Sequence, residues 1–251
     1  MSATKRLISI IIPTLNEQSG IEKTIKSIPK SVIRDKLGYE VEIIIVDGDS
    51  IDSTREIASK MGARVIIEKR KGYGRACKSG FAAAKGEILV TVDADNTYPT
   101  ESISNYIEEL NDNNLEFISV NRFSGMEKGA MSFTRRVGNK VLTLIMRVLY
   151  SVDIRDSQSG MWIMKKSFVS QIRLASDDMS MSEEIKIIAF RFFRSKELDG
   201  KYYSRTGTAK LKVIHDGWQN LRYLFYYKKK IGSAVIPTST YTKEKEIPIK
   251  K

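Results

Sequence analysis

In GEILVTVDADNTYPT, Gly86 to Thr100, an apolar run from Ile88 to Val92 delivers Asp93 and Asp95 with one alanine between them. Side chains two apart on a strand point the same way. Such a pair at a strand end can share a divalent cation, since Mg2+ takes one or two protein carboxylates and completes its shell with water and substrate phosphate oxygens. The same acids, with Asn96 and Pro99 behind them, also suit a solvated turn. Two further strand ends carry acids. In IIIVDGDSIDST, Asp47 follows an apolar run, where it can accept hydrogen bonds from a base or ribose, or form a turn and cap a helix. PTLNE, Pro13 to Glu17, ends the first run and brings Glu17 to the same rim. Three acid-bearing strand ends on one rim favour the cation over the turn.

KRKGYGRA, Lys69 to Ala76, sets cations among glycines ahead of a helix, which suits close approach of a diphosphate. It is neither the dinucleotide fingerprint nor the P-loop, so a plain basic turn stays open. Asp52, before STREIA, reads as a helix cap. His215 is the only histidine and has no partner at ligand spacing, so neither a zinc site nor His-centred catalysis is expected.

The elements that position these groups alternate. RLISIIIPTL, YEVEIIIVDG, ARVIIEKRKG and GEILVTVDAD are β-branched, nearly continuous apolar runs. Helical segments separate them: SGIEKTIKSIPKSVIRDKLG, interrupted at Pro29, then DSTREIASKMG and GRACKSGFAAAKG. That pattern predicts an α/β fold with a mostly parallel sheet covered on both faces and a ligand crevice at the carboxyl ends of its strands. NLEFISVNRF adds a strand. From Thr134, Val137, Val141, Leu144, Ile145, Val148 and Leu149 recur at helical spacing, with Arg135, Arg136, Lys140 and Arg147 around them. RDSQSGMWIMKKSFVSQI reads as loop, short strand and helix, and SEEIKIIAFRFFRS as helix. ELDGKYYSRTG carries a strand before a turn at Gly207, and HDGWQNLRYLFYYKKK is a last amphipathic helix. One domain over 1–230 is expected, its first 120 residues a nucleotide-binding-like α/β core, with a loose basic tail over 231–251.

With 251 residues, 41% hydrophobic, the chain suits a single large α/β domain and is no disordered polypeptide. Its formal charge of +12 implies an anionic partner: nucleic acid, anionic lipid or a phosphorylated small molecule. Cys77, the single cysteine, excludes an internal disulfide. The first apolar run is too short for a signal peptide, and no stretch is long enough to span a bilayer.

Taken together, SIIIPTLNE, IIIVDGDSIDST, KGYGRACKSGFAAAKG, VDADNTYP, SVNRF, DSQSGMW and YYSRTGTAKLKVIHDGW resemble the family 2 glycosyltransferases of the GT-A fold, particularly the polyprenyl- and dolichyl-phosphate hexose synthases. The resemblance implies that Pro13, Leu15, Glu17 and Asp47 line a nucleotide pocket and that Lys71 approaches the donor phosphates. Asp93 would lie near ribose and metal, and Asp95 would coordinate Mg2+ or Mn2+ between the donor phosphates. Arg122, with Arg135 or Arg136, would receive the lipid phosphate. Arg205 and Lys210 belong to a late basic segment that closes over the donor, and Glu183 borders the acceptor. Two departures, Gly48 within VDGDS and Thr97 two residues past Asp95, weaken a GDP-mannose assignment and leave UDP-glucose and UDP-N-acetylglucosamine. Thr97 can still bind there through its hydroxyl or through water, but it reaches less far than the glutamine the family commonly carries at that place.

A polyprenyl acceptor lives in a bilayer. Segment 191–230 holds 11 Lys/Arg and 3 Asp/Glu, and Tyr223, Phe225, Tyr226 and Tyr227 run into Lys228, Lys229 and Lys230. Cations with interfacial aromatics suit an anionic membrane surface, so peripheral attachment at the cytoplasmic face through the 134–150 and 216–230 helices is expected. A core-packed helix with a solvated basic end explains much of the same pattern. Two other functions compete: transfer to a sugar hydroxyl, with Glu183 or Glu184 as base, and RNA binding through charge and aromatic stacking. Strand-end carboxylates would repel a nucleic-acid backbone, and no nucleic acid is expected as partner.

Overall fold

The computed structural model describes residues 6–207 and 213–231, and the side chains of all of these except 213–215. Lys210, the side chain of His215 and the expected tail beyond residue 231 lie outside the described residues. β1 (Arg6–Thr14), β2 (Tyr39–Asp47), β3 (Arg64–Ile67), β4 (Ile88–Thr91), β5 (Phe117–Met126), β6 (Trp162–Lys165) and β7 (Ser195–Tyr202) form one sheet in the order β3-β2-β1-β4-β6-β5-β7. The pairs β1–β2, β1–β4, β2–β3 and β5–β7 are parallel; β6 runs against both its neighbours. The mostly parallel sheet is therefore as predicted. β6, from the second half of the chain, lies between β4 and β5, so both halves share one sheet.

Alternation along β1 shows why the runs are so apolar. Ile8, Ile10 and Ile12 enter one core, while Ile11 enters the other. A strand buried on both sides has no polar face to offer. The first core is covered by α1 (Ile21–Ser27), α2 (Lys30–Leu37), α3 (Thr54–Lys60) and α5 (Ile103–Asp112). The second lies under α4 (Tyr73–Ala83), α6 (Phe133–Tyr150), α7 (Lys166–Ser170), α8 (Met181–Phe192) and α9 (Val213–Lys228). The break at Pro29 is present: α1 stops at Ser27, and α2 begins directly after the proline. Helix α5 has no counterpart among the predicted elements. Its stripe, Ile103, Tyr106, Ile107 and Leu110, is buried and regular but short, and it sits between turn-rich TYPTES and NDNN.

Candidate active site

Three strand-to-helix turns form the carboxylate rim. Each bends through a left-handed residue of the type that tolerates it: Asn16 (φ 50°) after β1, Asp49 (φ 70°) after β2 and Asn96 (φ 60°) after β4. The turn after β4 is wedged between two glycines. A Cβ at Gly20 would lie 2.6 Å from the Ala94 carbonyl, and one at Gly160 would lie 2.7 Å from the Tyr73 hydroxyl and 3.2 Å from Asp93 Oδ1. The Tyr73 hydroxyl in turn donates to Asp93 Oδ1 at 3.4 Å.

Asp95 is 5% exposed, and its two oxygens have different partners. Oδ1 accepts from the Thr97 hydroxyl at 2.7 Å and from the Thr97 N–H at 3.2 Å. Oδ2 lies 3.2 Å from Arg205 Nη1, while Arg205 Nη2 donates to Glu17 Oε1 at 2.8 Å. Arg205 thus bridges two of the three acid-bearing turns from a segment far along the chain. Its backbone surroundings are tied down as well: Tyr203 N–H donates to the Thr97 carbonyl at 2.9 Å, and Thr206 N–H to the Asp95 carbonyl at 3.0 Å. Burial, followed by the charge of Asp95, pushes Asp93 up to about 7 against the pull of Arg122 and Arg205.

Asp47 takes the turn-forming role. It is fully buried, and it accepts from Ser50 N–H at 2.8 Å, from the Ser50 hydroxyl at 2.5 Å and from the Thr14 hydroxyl at 3.2 Å. Asp52 accepts from Thr54 N–H at 3.0 Å at the start of α3, as expected of a cap. In the basic turn, Arg70 pairs with Glu68 at 2.6 Å and Arg75 with Asp177 at 2.5 Å, while Lys71 stands exposed just ahead of α4.

Across the cleft, a register shift in β5 between Asn121 and Gly125 re-aims Arg122. Its Nε and Nη2 meet Asp156 at 2.7 and 2.8 Å, and its own N–H donates to Asp156 at 3.1 Å, all within a buried environment. The guanidinium also lies 5.4 Å from the centre of the Tyr202 ring. One edge of Arg122 is therefore committed to the protein, which its reading as a phosphate-receiving residue did not include. Beneath this pair, Lys186 donates to the carbonyls of Asp156, Ser157 and Ser159. Burial pushes Lys186 down to about 7, against the pull of Asp156. Gln158 donates to Glu183 Oε1 at 2.6 Å and accepts from Asn220 of α9 at 2.9 Å. Glu183 is fully buried, and burial pushes it up to about 8. Glu184 accepts from Ala175 N–H, Ser176 N–H and the Tyr223 hydroxyl, at 2.8, 2.9 and 2.9 Å.

Between the two walls lies a cleft open to solvent. Asp93, Asp95, Arg122, Arg135 and Arg205 all line it, together with Tyr73, Asn139, Gln158, Tyr202 and Asn220. Between the adjacent arginines the structure discriminates: Arg135 lines the cleft, whereas Arg136 is exposed and does not. Pro13, Leu15, Glu17, Asp47 and Lys71 are not among its lining residues; Glu17 reaches it through Arg205. The Thr97 hydroxyl is turned inward, 1% exposed, and donates to Asp95. Asp156 sits in DSQSG, a motif visible in the sequence without an assigned role. Asn139 and Asn220 carry no local signal at all.

The residues fit a divalent cation bound with a diphosphate. Among the described residues no group of three acidic, His or Cys side chains forms a cage, but Mg2+ and Mn2+ need only one or two carboxylates when phosphate supplies the rest. Burial and the neighbouring Asp95 raise Asp93, which a bound cation would relieve, and the Arg205 guanidinium already sits against Asp95 Oδ2.

Residues 9–173 match the model of the glycosyl transferase family 2. The chain is 31% identical over 213 residues to a dolichyl-phosphate hexose transferase of Haloferax volcanii, covering 84% of this chain and 89% of that protein. It is 30% identical over 220 residues to the low-salt glycan biosynthesis hexosyltransferase Agl6 of the same organism, and 29% identical over 202 residues to a dolichol-phosphate mannosyltransferase of Pyrococcus furiosus. Those alignments cover 86% and 78% of this chain, which spans about half of either relative, 52% and 53%. The fold is shared with glucosyl-3-phosphoglycerate synthase of Mycobacterium tuberculosis, solved with Mn2+, uridine diphosphate and glucosyl-3-phosphoglycerate. The TM-score is 0.72 at 22% identity, over 93% of this chain and 82% of that one. With the strand-end carboxylates, the mostly parallel sheet and the family match in agreement, the chain belongs to glycosyl transferase family 2 and has the GT-A fold.

Proposed function

We propose that this glycosyltransferase moves a hexose or N-acetylhexosamine from a nucleotide sugar to dolichyl or polyprenyl phosphate, inverting the anomeric carbon. The observation that carries the reading is that one cleft gathers the carboxylates Asp93 and Asp95 with the cations Arg122, Arg135 and Arg205. Arg135 can grip a phosphate through its planar fork, and Arg122 adds fixed positive charge behind it. A phosphate monoester oxygen then attacks C1, the C1–O bond to the diphosphate breaks, and the nucleoside diphosphate departs with that electron pair. Mg2+ or Mn2+ held by Asp95 and Asp93 would offset charge on the leaving diphosphate. An ionised phosphate is already a nucleophile, so no base is needed. The two candidate bases for a hydroxyl acceptor argue the same way. Glu183 is fully buried and is absent from the cleft lining, and Glu184 is occupied by three donors. The dolichyl-phosphate names of two relatives support this acceptor class. UDP-glucose complexes of the M. tuberculosis enzyme agree with a UDP-sugar donor, and the donors to compare are UDP-N-acetylglucosamine, UDP-glucose and GDP-mannose.

Attachment to an anionic membrane surface follows as part of the same reading. Among the described residues no helix is long and apolar enough to cross a membrane. On α6, however, Phe133, Val137, Val141, Leu144 and Val148 form an exposed stripe, and on α9 Trp218, Phe225 and Tyr226 do the same. The first turns of both helices line the cleft, and Lys140, Arg222 and Lys228 are exposed on the same helices. We propose this surface as the membrane-binding face of the enzyme.

The test is a donor panel assayed with dolichyl or polyprenyl phosphate and, separately, with neutral sugar acceptors. Turnover with the lipid phosphate is expected for one donor. Turnover with sugar hydroxyls alone would overturn the acceptor assignment. Co-flotation with anionic liposomes that fails even at low salt would remove the membrane face.

A further inference from the structure

Thr97 is buried beside the most acid-rich part of the cleft and does not line it. Both its hydroxyl and its backbone N–H point at the same atom, Asp95 Oδ1, at 2.7 and 3.2 Å. Two donors from one residue fix the plane of the carboxylate and occupy that oxygen's lone pairs. The opposite oxygen, Oδ2, is the one a cation already meets, Arg205 Nη1 at 3.2 Å. The turn that carries Thr97 is itself braced, because its carbonyl accepts from Tyr203 N–H at 2.9 Å.

We propose that Thr97 is a positioning residue that divides the labour of Asp95, holding Oδ1 within the fold so that Oδ2 alone meets the divalent cation of the donor. The proposal rests on the donor-site reading given above and is independent of the acceptor. It carries a consequence for ion choice. A carboxylate held to one free oxygen suits a small octahedral ion, whereas Ca2+ favours larger, irregular shells and accepts both oxygens of one carboxylate. Loss of the hydroxyl leaves Oδ1 with the longer backbone N–H bond alone, so the carboxylate can turn, its single-oxygen ligation of Mn2+ weakens and ligation by both oxygens is admitted.

The test measures binding of Mn2+, alone and with UDP or GDP, to the full chain by electron paramagnetic resonance of free Mn2+, with Ca2+ as competitor. Partners that orient a metal ligand are worth about 10–100-fold in metal affinity. Thr97→Ala and Thr97→Val are therefore expected to weaken Mn2+ by about tenfold or more and to narrow its advantage over Ca2+. Thr97→Ser, which keeps the hydroxyl, should restore both. Melting curves without metal report folding; should the valine variant fail to fold, alanine and serine decide the matter. Wild-type affinity in Thr97→Ala, an unchanged ion ratio, or a loss in Thr97→Ser as large as in Thr97→Ala would each overturn the role. Absence of Mn2+ binding with either nucleotide in the wild-type chain would instead overturn the donor site itself.

Discussion

Arg122 and Arg205 line the same cleft, and each meets carboxylate, but the two junctions are built differently. Arg122 sits on a strand, is 7% exposed, and meets one carboxylate, Asp156, through two parallel bonds and its own backbone N–H. Lys186 and Gln158 secure the loop around Asp156 from below. Arg205 comes from a connection after β7, is half-buried, and splits its fork between Asp95 and Glu17, with its buried Nε left unpartnered. The first is an ion pair the fold depends on, because separating it leaves a charge in a medium that cannot solvate it. The second is a cation resting against carboxylates that a metal and a diphosphate can take over. Charge alone does not distinguish them; burial and the number of partners do.

The comparison can be broken in four places. Asp95→Ala should have the largest effect. Removing the carboxylate that orients a metal forfeits several kcal/mol of charge stabilisation, so transfer should fall about a thousandfold while circular dichroism stays native. Retained turnover with added Mg2+ or Mn2+ would end its assignment as a metal ligand.

Arg122→Ala comes next, and on folding. Stranding Asp156 should cost about 3–5 kcal/mol, read from urea unfolding. A stability close to wild type would show that Asp156 does not need this partner.

Glu183→Gln probes the support of the fixed side. Glu183 is raised from its ordinary value near 4.5 to about 8 by burial. Its proton is held more tightly in the folded state, so its contribution to stability is complete below pH 4.5 and is lost as pH rises through 8. The wild type should lose about 2 kcal/mol from this group between pH 6 and pH 8, and the glutamine variant should show a flatter profile there. Parallel profiles would place the Glu183 carboxyl in contact with solvent.

Arg205→Ala should have the smallest effect on folding. A part-exposed ion pair is worth about 1 kcal/mol or less, yet donor turnover should drop by roughly 100-fold, in line with loss of a positioned donor at the departing diphosphate. Loss of stability as large as in Arg122→Ala would erase the distinction between the two arginines.

Much of the donor side was legible because it is local. A β-branched run ending in an acid defines a strand, its carboxyl end and a rim position within a dozen residues, as in ILVTVDAD. The role of Asp47 was half legible: strand end was correct, but its occupation by Ser50 and Thr14 required two turns to meet. Helix α5 escaped although its stripe was present, since four apolar residues between turn-rich stretches make a weak period. The acceptor side was less legible. Nothing local says that Asn220 reaches Gln158, or that Asp156 occupies an edge of Arg122, because those contacts join residues 62 and 34 positions apart.

Local sequence dictates the class of chemistry and the sheet that supports it. Hydrophobic period and turn residues act over a few positions, and acids at three strand ends must emerge on one rim of a parallel sheet. The division of individual oxygens and nitrogens is a property of the folded chain: Oδ1 of Asp95 goes to Thr97, Oδ2 to Arg205, one edge of Arg122 to Asp156, and Arg135 rather than Arg136 to the cleft. Those choices depend on which distant segments dock together. Docking is set by packing in two cores, which residue spacing along the chain does not encode.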